Sequence, residues 1–285
     1  MLHADRDLAA RIEALAAAEM RRFVAAANSL DSACGAVALE LAGGVAAYVG
    51  AGSPVNQAFG LGFAGPVSLH DVIAVERFFV SRAAQPYVGL SPLAHPTAAA
   101  CFSERGWVID GFENVLVRTV TAEDAQARPP ASIEIREVDD AEGRDTWAYA
   151  AATGFSYPLP PLAAQLELGR IVAARRGTRL LLALVDGEVA GTGELYVEDG
   201  VAWLSGDATM PAYRRRGVQQ ALQSARLALG AEAGCDLAVT ESAPGSPSQR
   251  NMERIGFRVA YTRVNLVAPH ENGQAETHDE DGGVA

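Results

Sequence analysis

Met210-Pro-Ala-Tyr-Arg-Arg-Arg-Gly-Val-Gln-Gln-Ala-Leu222 is the stretch on which the reading of this chain turns. The apolar run Val201-Ala-Trp-Leu204 before it predicts a strand. Ala221, Leu222, Ala225, Leu229 and Ala233 after it recur at helical spacing. The stretch is therefore a strand-to-helix turn, with Pro211 ending the strand and Gly217 near the first helical turn. The first amides of a helix lack internal partners and carry partial positive charge. Three arginines beside them, with a glycine where a bulky group must approach the backbone, make an anion cradle suited to phosphates. The competing reading is a solvated, arginine-rich helix start.

Composition narrows the chemistry. All 23 basic residues are arginine. Without lysine there is no Walker-A phosphate loop, no Schiff base and no pyridoxal cofactor. A net charge of −12 argues against nucleic acid as a general partner and against anionic membranes. Cofactor phosphates then need a local basic patch, which Arg214, Arg215 and Arg216 supply. Cys34, Cys101 and Cys235 are far apart and odd in number, and none has metal-ligand spacing with the five histidines. The expectation is no metal, and buried, reduced thiols in a cytoplasmic protein. No signal peptide and no membrane-spanning apolar run is apparent.

The length of 285 residues suits about two domains. Residues 5–28 read as a helix with an apolar stripe. Residues 35–49 read as a hairpin around Gly43-Gly44, and 50–65, glycine-rich, as a loop or irregular strand. Ser68 or His70 caps a predicted helix over 71–83. Residues 86–91 form a short strand, 97–105 a helix closed by Gly106, and 107–120 one or two strands. Pro129-Pro130 mark a break. We place one unit at 1–127, a linker at 128–131, a second unit at 132–268, and an acidic disordered tail at 269–285. In the second unit a strand over 133–138 leads to helices over 141–152 and 162–175. Strands over 180–185 and 189–197 flank Asp186-Gly187, a hairpin signal. After the arginine turn come a strand at 237–240, a helix from Pro247 or Ser248 to Gly256, and a strand over 259–267.

Phe102-Ser-Glu-Arg-Gly-Trp107 set over Met252-Glu-Arg-Ile-Gly-Phe257 shows the same helix end, glycine cap and aromatic, 150 positions apart. The chain reads as two copies of one α+β unit. The first copy has Gly60-Leu-Gly-Phe-Ala-Gly-Pro66 where the arginines should stand. It is expected to lack the phosphate site and to support the second copy or close over its substrate.

Arg214-Arg215-Arg216-Gly217-Val218-Gln219 resembles the acyl-CoA-binding motif of GNAT-type N-acetyltransferases, Gln/Arg-x-x-Gly-x-Gly/Ala. Gln219 departs from it, although that position mainly offers a backbone N–H. The helix Ser248-Gln-Arg-Asn-Met-Glu-Arg-Ile-Gly-Phe257 resembles the family's last segment. The resemblance implies an α/β (α+β) fold of two GNAT-like domains in tandem, each a mixed sheet flanked by helices, the first degenerate. It implies acetyl-CoA as co-substrate, lying between two splayed parallel strands that end near Met210 and Thr240. Backbone groups of Ala208, Thr209 and Met210 would pair with the pantetheine arm. Arg214, Arg215, Arg216, Gly217, Val218, Gln219 and Gln220 would hold the pyrophosphate, with Asn251 facing the cofactor. The reaction is direct attack of a neutral amine, on a small molecule or peptide, upon the thioester. A base is useful, and Asp207 is the candidate, with a turn residue or arginine partner as its competing reading. Glu194 and Ser205 are weaker candidates, and His70 and His95 read as surface or capping groups. Many relatives carry a tyrosine acid on the final helix; here Met252 holds that place and the nearest tyrosine is Tyr261. A non-catalytic acyl-CoA sensor or scaffold is the rival reading and a plain interaction module the third. A homodimer is left open.

Overall fold

Periodic apolar residues become seven helices and eleven strands among the described residues, 3–156 and 158–269, of the computed structural model. The expected acidic tail lies outside the described residues, apart from Pro269. In chain order the elements are α1 (Arg6–Leu30), β1 (Val37–Leu41), β2 (Gly44–Tyr48), β3 (Ala58–Phe59), α2 (Leu69–Val80), β4 (Tyr87–Leu90), α3 (Thr97–Glu104) and β5 (Val108–Thr119). They continue with β6 (Glu134–Val138), α4 (Ala141–Ser156), α5 (Ala163–Ala174), β7 (Thr178–Val185), β8 (Glu188–Glu198), β9 (Val201–Thr209), α6 (Val218–Glu232), β10 (Leu237–Ser242), α7 (Pro247–Arg254) and β11 (Arg258–Val267). The stretch after Trp107 is one long strand. The glycine-rich loop contains the two-residue strand β3.

The strands form one sheet in the order β1-β2-β3-β4-β11-β5-β10-β9-β8-β7-β6. The last strand of the chain, β11, is inserted between β4 and β5 and runs antiparallel to both. The last strand of the first copy, β5, pairs along the full length of β10, from Leu237 opposite Thr119 to Ser242 opposite Asn114. Each copy has thus handed its final strand to the other, and two mixed sheets are fused into one.

The register carries the internal repeat. Glu113 lies opposite Arg263, its own equivalent at 263 − 113 = 150. The two bulges of this pairing skip Asp110 and Ala260, again 150 apart. Helices α3 and α7 share the same offset at both ends. Such agreement follows when β5 and β11 meet about a local two-fold axis.

Alternation along the strands divides the core. Val115, Val117, Val201, Trp203, Leu237 and Val239 face α1, whose Ile12, Leu15, Met20 and Phe23 are buried against them. Leu116, Leu195, Leu204 and Ala238 face the other way, toward Leu227 of α6 and Met252 of α7. In the first copy α2 and α3 cover that second face through Val75, Phe79 and Phe102. The predicted cap of α2 is Ser68, which accepts from the Asp71 N–H in a capping box. His70 is exposed. The His95 ring accepts from the Thr97 N–H at the start of α3, at 3.3 Å, a capping role. No disulfide joins the cysteines, and only Cys235 is buried; Cys34 and Cys101 are half-buried, against the expectation of three buried thiols, because their segments reach the surface. Among the described residues, no helix is long and apolar enough to cross a membrane.

Beneath α1 the core is charged. Glu13 accepts from Arg263 Nε and from the Tyr261 hydroxyl, both at 2.7 Å. Arg263 is fully buried and also donates to Glu241. Removing one member of a buried ion pair leaves an uncompensated charge. Arg263→Met is therefore expected to cost about 3–5 kcal/mol in urea unfolding. Because each copy holds the other's last strand, calorimetry should show one transition for both copies; two separable transitions would contradict the fused sheet.

Candidate acyl-CoA site

Parallel strands β9 and β10 pair only through Leu237–Val201, Ala238–Ala202 and Val239–Trp203. Beyond that point they part, because each is held by its other neighbour. β10 stays on β5 to Ser242, while β9 stays on β8, with Thr192 opposite Ala208 and Gly191 opposite Thr209. A bulge at Gly206 and Asp207 bends β9 further, and Gly206 adopts φ 65°, a left-handed conformation that suits glycine. A Cβ there would also meet Glu194 Cγ at 2.9 Å.

The gap opens on the α6 face into a cleft of about 860 Å³. Asp207, Ala208, Thr209, Arg214, Arg215, Gly217, Val218, Gln219, Gln220 and Asn251 line it together. Of the expected site residues, Met210 and Arg216 do not line it. The Met210 N–H is committed to Ala190 O at 2.9 Å, and the Arg216 guanidinium lies over the Tyr213 ring, 5.3 Å from its centroid.

The turn after β9 is one short 3-10 turn, Pro211–Tyr213, and then the arginines. Gly217 is the N-cap of α6 at φ 83° and offers no side chain to cap the helix. The amides of Val218, Gln219 and Gln220 therefore face the cleft without the capping oxygen that a Ser or Asp would supply. Arg214, Arg215 and Arg216 are exposed, and neither Arg215 nor Arg216 forms an ion pair with a carboxylate among the described residues. This corner is open, basic and rich in free donors, which fits a diphosphate.

Across the cleft, Asn251 Nδ2 donates to Gln219 Oε1 at 2.7 Å, tying α7 to α6. The departure from the motif at Gln219 thus has a local use. Arg254, one turn after Asn251, also lines the cleft and donates to Asn251 Oδ1 at 3.3 Å. Its i, i+3 spacing from Asn251 was a signal in the sequence that it shares that helix face. Gly154 of α4 lines the cleft as well; a Cβ there would stand 2.6 Å from Ala208 Cβ, so the helix comes close to β9.

Asp207 lines the cleft but also accepts from Arg226 of α6. Burial pushes its carboxyl up, and the Arg226 guanidinium pulls it back. Arg226 further donates to the Ser205 and Glu194 carbonyls, filling the bulge between β8 and β9. Glu194 is buried on β8, bound by Arg175 and by the Ser205 hydroxyl at 2.5 Å. Met252, in the place of the family's tyrosine, is buried and its sulfur accepts from Gln223 Nε2 at 3.0 Å. Tyr261 is remote from the cleft; burial and Glu13 hold its hydroxyl well above its ordinary range.

Comparisons with known proteins agree with this geometry. Residues 145–257 match the model of the Acetyltransferase (GNAT) family. No curated protein sequence matches the chain. Among solved structures, the chain is similar to a GCN5-related N-acetyltransferase from Kribbella flavida, with TM-score 0.62, 19% identity, and 87% of this chain and 95% of that one covered. It is also similar to a tandem GNAT protein from the clavulanic acid biosynthesis pathway, with TM-score 0.56, 15% identity and 80% of each chain covered. A functionally unknown conserved protein from Staphylococcus epidermidis aligns with TM-score 0.55 and 12% identity, over 82% of this chain and 94% of that one. At such identities the likeness is one of fold, and it spans both copies of the repeat. The cleft-bearing part of the chain, residues 145–257, thus matches the model of the GNAT acetyltransferase family, and the fold of the whole chain is similar to that of a tandem GNAT protein.

Proposed function

We propose that the protein transfers an acetyl or other short acyl group from acyl-CoA to an amine. The observation that carries this reading is the basic, uncapped start of α6 beside the gap between β9 and β10. Arg214, Arg215, Arg216 and the amides of Gly217 to Gln220 hold the pyrophosphate, with Arg216 reaching in from beside Tyr213. Backbone groups of Ala208 and Thr209 run along the pantetheine arm, and Asn251 closes the opposite wall. The first copy, with Gly60 to Pro66 in place of the arginines, takes no cofactor of its own.

The amine attacks the thioester carbonyl, the C–S bond breaks and the thiolate leaves. A thiol has a pKa of about 8.5, so departure needs little help from an acid. That accords with Met252 in the family's tyrosine place and with Tyr261 being bound to Glu13. The amine proton passes to a carboxylate at the gap. Asp207 is the proposed acceptor, since among the described residues it is the one carboxylate lining the cleft. Glu194, reached through Ser205, is the alternative; each carboxylate already holds an arginine, Arg226 for Asp207 and Arg175 for Glu194.

Acetyl-CoA at about a hundred times its dissociation constant stabilises by about 2.7 kcal/mol. That should raise the melting temperature by about 5 °C or more, and Arg215→Glu with Arg216→Glu should abolish the shift. No shift with any short acyl-CoA would sink the proposal. Release of free thiol with amines and peptides as acceptors separates enzyme from sensor. Under turnover, Asp207→Asn should lower kcat by about 10²-fold or more, the scale of general-base loss, while the acetyl-CoA shift persists. If only Glu194→Gln does so, the proton goes to Glu194.

A further inference from the structure

On the α1 face of the same gap lies a second cavity, of about 230 Å³. Its wall combines Glu19 of α1, Glu113 of β5, Glu194 of β8 and Glu241 of β10 with Arg175 and Arg263. Four carboxylates thus face two guanidiniums, an excess of two negative charges. Behind them Glu13 and Arg22 add one charge of each sign and leave that excess unchanged.

The hydrogen bonding is also incomplete. Glu19 is about nine-tenths buried, and its Oε1 has no hydrogen-bond partner; Arg22 Nε stands 3.8 Å away. Glu113 stands 3.9 Å from Arg263 Nη1, beyond hydrogen-bond reach. Burial pushes the carboxyls of Glu19 and Glu113 up. Charge held away from water without a full set of partners, as at Glu19, is costly. A wall of this kind gains when a cation enters.

The cavity is placed to serve the gap. Ser205 and Glu241 line it, each two residues past the last paired residues of β9 and β10, Trp203 and Val239. Met20, Phe23, Phe59 and Trp203 supply apolar wall between the charged groups, suited to methylenes. Glu19, Glu113 and Phe59 come from the first copy of the repeat, so the site exists only because the two copies are joined.

We infer that this cavity holds the acyl acceptor, a small aliphatic compound with two or more amino groups, bound through at least one ammonium by the unneutralised carboxylates while another amine reaches the gap. The inference rests on the acyl-transfer reading above. The reacting amine enters neutral; its nitrogen bonds to the acyl carbon, the sulfur leaves as thiolate, and the amine proton goes to the carboxylate at the gap. The remaining ammonium keeps its charge.

The test is calorimetric titration of the full chain with spermidine and with propan-1-amine, in parallel with the thermal shift by acetyl-CoA. Spermidine is expected to bind at least tenfold tighter than the monoamine. Glu113→Gln, which disturbs no hydrogen bond of the network, should weaken spermidine at least fivefold and leave the acetyl-CoA shift intact. Equal, weak binding of both amines, with the acetyl-CoA shift present, overturns the inference and leaves the acyl-transfer reading standing. Spermidine affinity unchanged in Glu113→Gln also overturns it, since attraction to the net acidic surface alone would behave that way. Spermidine binding that Glu113→Gln weakens, with no acetyl-CoA shift, supports the cation site and overturns acyl transfer.

Discussion

The parting of β9 from β10 is the constraint on which the molecule is built. Parallel strands side by side satisfy each other's backbone, and separating them exposes donors and acceptors that must be met elsewhere. Here β10 is held away by β5, a strand of the first copy, and β9 is held by β8 and bent by the bulge at Gly206. The opening is therefore held by neighbours from both copies, β5 on one side and β8 on the other. A free second copy would have to fill the place of β5 with its own last strand, which instead lies beyond β5 and against β4.

The two faces of the gap differ in electrostatic character. On the α6 face lie exposed arginines and uncapped amides. On the α1 face, buried and half-buried carboxylates outnumber the guanidiniums. A chain with a net charge of −12 keeps its basic groups where a phosphate would need them and concentrates acid where an amine would enter. Of the buried pairs, Arg226–Asp207 borders the cleft, and Arg175–Glu194 and Arg263–Glu13 border the charged cavity. Such pairs often add little to stability compared with apolar packing, so their position beside the gap points to shaping it.

Much of the second copy was legible because its signals are local. Asp186-Gly187 specified a tight turn, and both residues have positive φ, 53° and 83°. Pro211 and Gly217 bracketed the arginine-bearing turn, and the 150-residue offset named both halves of the repeat. The same offset reappears in the pairing of Glu113 with Arg263. The charged cavity was not legible. Glu19, Glu113, Glu194 and Glu241 are spread over four segments, and nothing in the neighbourhood of any one of them marks it as facing the others. Asp207 shows the same limit: its partner Arg226 lies on another element, so the pairing depends on how α6 packs over β9.

By itself, the sequence determined most of the helices and strands, the doubled unit and the strand-to-helix turn that carries the arginines, because each depends on contacts within a few residues or on a fixed repeat. The tertiary structure alone decided that the copies exchange their last strands, that β9 and β10 come apart, and that acidic side chains from both copies surround one small cavity. Those outcomes depend on which strand lies beside which, and a strand's pattern of apolar residues states which face is buried but does not name its neighbour.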